Sequence, residues 1–299
     1  PAISGQNITA PVNYGAEGIL KLAVSSNSVT VNNDLTLSPS GVSLQVPLQL
    51  QNAIGVNIDS QVTIVNGVNY APYNALPQTS AINEFLANTY ITSEQAAPAI
   101  SANNNGNSVI VWQSAWQDGD DWGIFAQRVD SGSTPQGIEL AVNTTSTGIQ
   151  ENPSVAVDNA GNFIIAWNGN GVGDSDGVFA RRFDSSGNPL GPEFLVNTYT
   201  LDTQRRAKVA ADSLGNFVIT WESQGQDGSN YGIYAQRFDS NGIFQGSEFQ
   251  INDTTAQEQQ MSAVAMDNNG NFNVTWSSDS SGNFDIMAKR YASTGSATS

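Results

Sequence analysis

Apolar residues recur along this chain in short runs separated by turn-forming residues. In the run Phe163–Trp167, side chains alternate between the two faces of an extended strand, and those on both faces are apolar. Such a run is typical of a strand that is covered on both sides. No apolar run reaches the roughly eighteen residues of a membrane-spanning helix. The pattern therefore predicts an all-β protein without a membrane span.

These runs repeat at a fixed spacing. Four Trp residues lie 55, 54 and 55 positions apart, and an Arg follows each one in step: Trp112, Trp167, Trp221 and Trp276, then Arg128, Arg182, Arg237 and Arg290. Each copy contains four strand-like pieces, A to D, with Trp at the end of B, Arg in C and a Glu in D. Four strands per unit with a Trp signature is the pattern of a β-propeller blade.

The order of the pieces predicts how the array closes. The repeat region starts with a lone strand D, Glu84–Asn88, and its last copy ends after strand C at Tyr291. We expect the early strand to complete the last blade, because this removes two unpaired sheet edges. Residues 81–299 are thus predicted to form a four-bladed propeller closed by an early D strand. The competing closure passes this strand to another molecule, as in domain swapping.

Residues 1–80 do not share the repeat. Alternating apolar residues in 42–50 indicate a half-buried strand, in which Pro47 favours an edge position. We expect either a small β-rich domain or an arm that pairs with a neighbouring copy through sheet edges. The second hypothesis predicts a homo-oligomer or polymer.

Composition excludes several classes of function. The chain has 27 acidic and 10 basic residues, no His and no Cys, for a net charge of −17. This balance argues against nucleic acid, whose phosphates are bound by Lys and Arg. Catalysis through a His base or a Cys nucleophile is excluded, and no Asp/Glu pair stands outside the repeat as a glycosidase pair would. These observations predict a protein that is not an enzyme.

The repeat also resembles a known family. The best-kept copy reads Asp-Ser-Leu-Gly-Asn-Phe-Val-Ile-Thr-Trp at 212–221 and Tyr-Ala-Gln-Arg-Phe-Asp at 234–239. It is similar to units of about 50 residues in large secreted bacterial and cyanobacterial surface proteins, often found beside haemolysin-type calcium-binding repeats. The resemblance covers residues 83–292. It implies a secreted or cell-surface location and a structural or adhesive role.

The loops between strands B and C are candidate calcium sites. They are acidic, and Ca²⁺ prefers six to eight oxygen ligands. The best candidate ligands lie in the first two loops: Asp118, Asp120, Asp121, Asp174 and Asp176. Solvated turns explain the same residues, because the number of carboxylates varies between copies and no EF-hand spacing occurs.

The repeated Trp and Arg residues are expected to be structural. Trp at the end of an apolar strand predicts packing inside a blade. An Arg on a buried strand face must be paired, and the glutamates of strand D are the expected partners: Glu84, Glu139, Glu193 and Glu248. A ring of four Arg that binds an anion is the alternative interpretation.

Two further Trp residues break the repeat. Trp116 and Trp122 lie in a polar loop, where exposed aromatic residues often mark binding sites. They favour a glycan- or matrix-binding, lectin-like module as the second hypothesis of function. The leading hypothesis is a secreted structural or adhesive protein that assembles into a filament or surface layer through residues 1–80. Glycoside processing is a third.

Overall fold

The computed structural model describes residues 84–279 and 282–298. They belong to the second of two units, Glu84–Ser299, into which the chain divides. The predicted arm and its role in assembly lie outside the described residues and stay predictions. Every regular element in the described ranges is a β-strand, so no helix there could cross a membrane.

The fold is all-β, with four antiparallel sheets of four strands each, as the spacing of the repeats predicts. Sheet 1 contains β1 (Gln95–Ala102), β2 (Ser108–Ala115), β3 (Trp122–Val129) and β4 (Pro135–Ala141). Sheet 2 contains β5 (Gln150–Val157), β6 (Phe163–Gly171), β7 (Asp174–Phe183) and β8 (Phe194–Leu195). Sheet 3 contains β9 (Gln204–Ala211), β10 (Phe217–Gln224), β11 (Tyr231–Phe238) and β12 (Phe249–Gln250). Sheet 4 contains β13 (Gln259–Met266), β14 (Phe272–Asp279), β15 (Phe284–Tyr291) and β16 (Ala297–Thr298).

Strands A and B of each sheet are joined by a tight turn that the sequence specifies. In sheet 2 the amide of Asp158 donates to the carbonyl of Asn162 at 2.9 Å, and the Asp158 carboxylate accepts from the Asn162 amide at 2.9 Å. Gly161 has a φ of +86°, which a residue with a Cβ rarely adopts. The Asp and the Gly therefore set the register of the hairpin.

Consecutive sheets pack through three hydrophobic clusters, one at each interface. Trp167 lies in the cluster between sheets 1 and 2, Trp221 between sheets 2 and 3, and Trp276 between sheets 3 and 4. Trp112 is also buried, at 4 % exposure. The strand A of each sheet packs against the strand A of the next, so these strands line the inner side of a β-propeller-like array.

The two ends of the array are open in the described residues. The inner strands β1 and β13 do not pack on each other as consecutive inner strands do. Apolar side chains are therefore left at both ends: Ile100 on β1 is 65 % exposed and Ile286 on β15 is 76 % exposed.

The fourth strand of sheet 4 differs from those of the other sheets. The chain turns back after β15 through a tight turn at Gly295, so that β16 pairs with Arg290 and Tyr291. Arg290 and Tyr291 correspond to Arg128 and Val129, which pair with Gln136 and Pro135 at the start of β4, so β16 lies ahead of the strand D position. The strand D position of sheet 4 is therefore unpaired in the described residues, in line with the expectation that the last copy lacks this strand. Glu84–Asn88 forms no strand, and among the described residues no strand pairs with β15 at Met287 and Ala288.

Candidate functional site

The loop between β2 and β3 presents Trp116 to solvent. Its indole is 61 % exposed and its φ is +64°, a backbone conformation that is costly for a bulky side chain. The Trp116 amide donates to the carbonyl of Asp121 at 2.6 Å, which holds the loop in this conformation. Trp122 begins β3 opposite Ala115 and is only partly exposed. The indole of Trp116 is therefore exposed to solvent, whereas Trp122 is part of strand β3.

A groove of about 490 Å³ lies next to this loop. It runs between the segment before β1 and the outer strand β4, and its lining includes Leu86, Thr89, Gln117, Gln127 and Glu139. Its walls thus combine apolar surface with amide and carboxylate groups. Ligand-binding clefts also combine apolar walls with a few polar groups.

Glu139 is held in place within the groove. Its carboxylate accepts hydrogen bonds from the Thr89 amide at 2.7 Å, from the Thr89 hydroxyl at 3.0 Å and from the Gln117 amide group. Glu248 repeats this arrangement with Thr198 and Gln226. The strand D glutamates therefore join the loop that precedes a sheet to the outer strand of that sheet.

The repeated Arg residues do not pair with these glutamates in the described part of the chain. Instead, three of the four guanidinium groups donate to a backbone carbonyl in the next sheet: Arg128 to Ser185 at 2.6 Å, Arg182 to Asn241 and Arg237 to Ser293. Burial lowers the pKa of Arg182 and Arg237. These three residues are only partly buried, so they do not need the carboxylate partner that a fully buried charge requires. The expected Arg–Glu pairs are therefore wrong.

The acidic loop residues organise hydrogen bonds in the loops. Asp118 accepts from the Asn143 side chain at 2.9 Å, and Asp174 accepts from the Asn197 side chain at 2.9 Å. Asp120 accepts from the amides of Asp121 and Gly148, and Asp176 accepts from the Thr203 hydroxyl. Within 84–279 and 282–298, no three acidic side chains converge as a metal site. Calcium binding stays a prediction from the sequence.

A second polar cluster, which was not predicted from the sequence, lies at the start of β9. Glu222 is fully buried, and Arg205 Nε lies 2.8 Å from its Oε2 while Arg206 Nη1 lies 3.2 Å from its Oε1. The Arg205 guanidinium also stacks on Tyr231, at 3.8 Å from the ring centroid. The signal that could have found it is Arg-Arg-Ala-Lys at 205–208, where the other strands A carry no basic residue.

The cluster is built on a bulge in strand A that all four sheets share. Each strand A has a bulge with one residue at positive φ: Ala97, Asn152, Arg206 and Met261. The amide of this residue donates to the side chain that follows the Trp of the preceding sheet, as in Asn152 to Gln113 at 2.9 Å and Met261 to Glu222 at 2.6 Å. In sheet 3 the acceptor of this hydrogen bond is the carboxylate of Glu222, whereas in sheet 1 it is the side-chain amide of Gln113.

Both features lie on the same side of the sheets. Loops between strands B and C contact loops between strand D and the next strand A, as Gly148 does with Asp120 and Ser229 with the Gln257 carbonyl. We call the surface formed by these two sets of loops the loop face. It carries Trp116, the part of the groove at Gln117 and Glu139, and the start of β9.

Comparison with known proteins gives structural neighbours alone. No family model and no curated protein sequence matches the chain. A Hadza microbial sialidase has a TM-score of 0.46 at 13 % identity, with 67 % of this chain and 45 % of the sialidase covered. An endo-arabinase from Bacteroides thetaiotaomicron has a TM-score of 0.42 at 14 % identity, with 66 % and 75 % covered. An ulvan lyase solved with a glucuronate–sulfated rhamnose ligand has a TM-score of 0.47 at 11 % identity, with 66 % and 53 % covered.

These neighbours correct two predictions made from the sequence. By their names they are enzymes that act on carbohydrates. They contradict the predicted structural or adhesive role and the prediction that the chain is not an enzyme. Secretion and assembly through residues 1–80 are separate predictions and are not contradicted. The chain spans less than half of the sialidase, so any activity of this protein is a matter for proposal.

Proposed function

We propose that this protein binds and processes carbohydrate on its loop face, with Trp116 as the stacking platform. The observation that carries the proposal is the exposed Trp116 indole, held at positive φ in the loop that supplies Gln117 to the groove. The apolar face of a sugar ring packs on an aromatic ring, while its hydroxyl groups need planar polar partners. Gln117 and Glu139 in the groove supply such partners.

The strain at Trp116 supports a functional role. A solvated turn in a repeat protein has no need for a bulky residue at positive φ, where Gly or Asn is favoured. In the corresponding loop of sheet 3 the residue at positive φ is Gly225, and its amide donates to the Asn230 carbonyl in the same way. Trp116 keeps that backbone geometry and adds an aromatic surface.

Cleavage of the bound glycan is the second part of the proposal. Glycosidases use two carboxyl groups, and Glu151 and Glu222 are linked by a chain of contacts through Asn168 and Arg206. The Asn168 amide group donates to Glu151 at 3.3 Å, and its oxygen accepts from the amide of Arg206, whose guanidinium pairs with Glu222. We propose Glu151 as the more accessible carboxyl group of the two.

Titration of the full chain with neutral polysaccharides tests the binding step. Arabinan, xylan and dextran are added while Trp fluorescence is recorded, and reducing ends are assayed afterwards. Trp116→Ala should weaken binding about tenfold to a hundredfold, as loss of a central aromatic contact does, whereas Trp116→Phe should retain most of it. Leu214→Ala is the matched control, because Leu214 is an exposed apolar residue in a turn between strands A and B. Equal binding by all three variants would refute the platform.

The cleavage step has its own readout. Glu151→Gln should abolish release of reducing ends and leave the fluorescence titration unchanged. If binding is seen but reducing ends never form with any substrate, the protein binds glycan without cleaving it.

We also propose that the four sheets are the blades of one propeller ring closed by Glu84–Asn88. In sheets 1 to 3 the equivalent segment pairs with strand C, as Ala141 does with Phe125 and Gln250 with Tyr234. In sheet 4 the corresponding edge of β15 carries Met287 at 44 % exposure, while Leu86 is 68 % exposed. Pairing of the two segments would bury both side chains. Leu86 would then leave the groove, in which Gln117 and Glu139 remain as the polar partners proposed above. Secretion belongs to the same proposal, because polysaccharide is encountered outside the cell.

A further inference from the structure

Three basic residues lie within four positions of β9, in a protein with a net charge of −17. They are Arg205, Arg206 and Lys208. The fold does not demand cations there, because the equivalent positions of the other inner strands are neutral or acidic: Ala96, Ala97 and Ala99 in β1; Glu151, Asn152 and Ser154 in β5; Gln260, Met261 and Ala263 in β13. Sheet 3 therefore departs from the repeat by adding positive charge.

The nearby carboxylates do not form ion pairs with all three basic side chains. Glu222 is shared between Arg205 and Arg206 and also accepts from the Met261 amide, so its oxygens are occupied. Glu258 lies 4.0 Å from Arg205, at the limit of an ion pair. In the part of the chain that the structure describes, Lys208 has no carboxylate at ion-pair distance. Burial lowers the pKa of Lys208 despite the opposing effect of Glu222.

Arg206 and Lys208 share the space between sheets 3 and 4. Ala207 and Val209 pack in the cluster with sheet 2, whereas Ala210 packs in the cluster with sheet 4. Side chains alternate along a strand, so Lys208 lies on the face towards sheet 4. Arg206 Nη1 also reaches Gln260 Oε1 on β13, at 3.3 Å. The β13 residues nearest to the pair, Gln260 to Ser262, are neutral.

We propose that Arg206 and Lys208 bind the carboxylate or sulfate group of an acidic carbohydrate, an inference that rests on the glycan function proposed above. A guanidinium can bind either oxyanion with two hydrogen bonds, and a Lys ammonium adds a compact charge. A partly buried ammonium without a partner is costly, and an arriving anion removes that cost. Arg205, which is held between Tyr231 and Glu222, positions Glu222 and does not contact the ligand.

Matched pairs of polysaccharides test this inference on the full chain. Polygalacturonate is compared with its fully methyl-esterified form, and dextran sulfate with dextran, so that the two members of each pair share one backbone and only one member carries anionic groups. We expect the charged member to bind at least tenfold more tightly at low salt, with the preference falling as salt rises. A preference for one charged polymer over the other identifies the anion as uronate or sulfate.

Variants assign the preference to the two cations. Lys208→Gln should reduce it about tenfold and Lys208→Arg should restore it, since a single charged hydrogen bond is removed and replaced. Arg290→Gln, which removes one charge from an exposed position on β15, is the control and should leave the preference intact. Thermal unfolding of each variant verifies the fold.

The outcomes separate this inference from the function on which it rests. Equal binding of charged and neutral partners, or a preference that survives Lys208→Gln, would overturn the inference and leave glycan binding by Trp116 standing. Failure to bind any polysaccharide would overturn both.

Discussion

The side chain of Asn143 donates a hydrogen bond to the side chain of Gln150 at 3.1 Å, and this contact joins sheet 1 to sheet 2. The same Asn accepts from the Ile124 amide at 2.7 Å and donates to Asp118. Asn197 with Gln204 and Asn252 with Gln259 repeat the contact at 3.1 and 3.0 Å. Each loop between strand D and the next strand A is therefore closed by one buried Asn–Gln pair.

Replacing a member of this pair should be costly. Asn197 is 2 % exposed and makes bonds to Val178, Asp174, Tyr199 and Gln204. Asn197→Ala leaves several buried groups without partners, so we expect a loss of about 2–4 kcal/mol in the free energy of unfolding. Urea denaturation measures it. Asn241→Ala, at an exposed turn, is the control and should change stability by less than about 0.5 kcal/mol.

Glu222 should tolerate an amide but not truncation. Gln113 accepts the equivalent backbone hydrogen bond in sheet 1, so Glu222→Gln can keep the bond from Met261. Glu222→Ala removes that bond and leaves two guanidinium groups without their shared carboxylate, at a cost of about 3–5 kcal/mol. Thermal and urea unfolding of the two variants compares them. Equal losses of stability for the Gln and Ala variants would show that the fold depends on the charge of Glu222 and not on its hydrogen bond from the Met261 amide.

Tyr291 should limit stability at alkaline pH. Burial raises the pKa of its phenol to about 12. The neutral form is thus favoured in the folded protein, and this contribution is full below the ordinary pKa near 10 and is lost as the pH rises towards 12. Its hydroxyl is buried without a hydrogen-bond partner. Tyr291→Phe should therefore raise stability by about 1 kcal/mol at pH 7 and flatten the decline above pH 10.

Urea midpoints at pH 7, 9 and 11.5 provide the measurement for Tyr291. Tyr90→Phe, at a partly exposed position, is the matched control. An unchanged slope between pH 9 and 11.5 in the Tyr291→Phe protein would contradict the assignment.

Cysteine crosslinking should detect the closing strand. The chain has no Cys, so Leu86→Cys with Met287→Cys introduces a single pair. By the register of Gln250 with Tyr234, these two residues would lie opposite each other in a closed ring. We expect a disulfide within one chain under mild oxidation, seen as a faster monomer band on non-reducing gels.

The control for this experiment pairs Leu86→Cys with Ile286→Cys. A register shift of one residue moves a side chain to the other face of the sheet, so this pair should form no disulfide. A disulfide between two chains would show that the strand is exchanged, and absence of any disulfide would refute closure through Glu84–Asn88.

Much of the architecture follows from short-range pattern. The apolar runs that end in Trp221 and its equivalents can be covered on both faces only if sheets stack, and the Asp158–Gly161 turn sets the hairpin register. These features depend on residues close together in the chain, which is why the sequence predicts four sheets of four strands.

The sequence alone could not determine which polar groups meet across sheets. Arg128 and Glu139 lie eleven positions apart, yet Arg128 donates to Ser185 and Glu139 accepts from Thr89. Tertiary packing brings the turn of sheet 2 to Arg128 and the segment before β1 to Glu139. The ion pairs of Glu222 likewise depend on a bulge that turns Arg206 back towards β10. Composition and spacing determined the repeat, the strands and the exposed Trp116 loop. Only the tertiary structure decided the polar contacts and the β9 cluster, because these depend on distances between residues far apart in the chain.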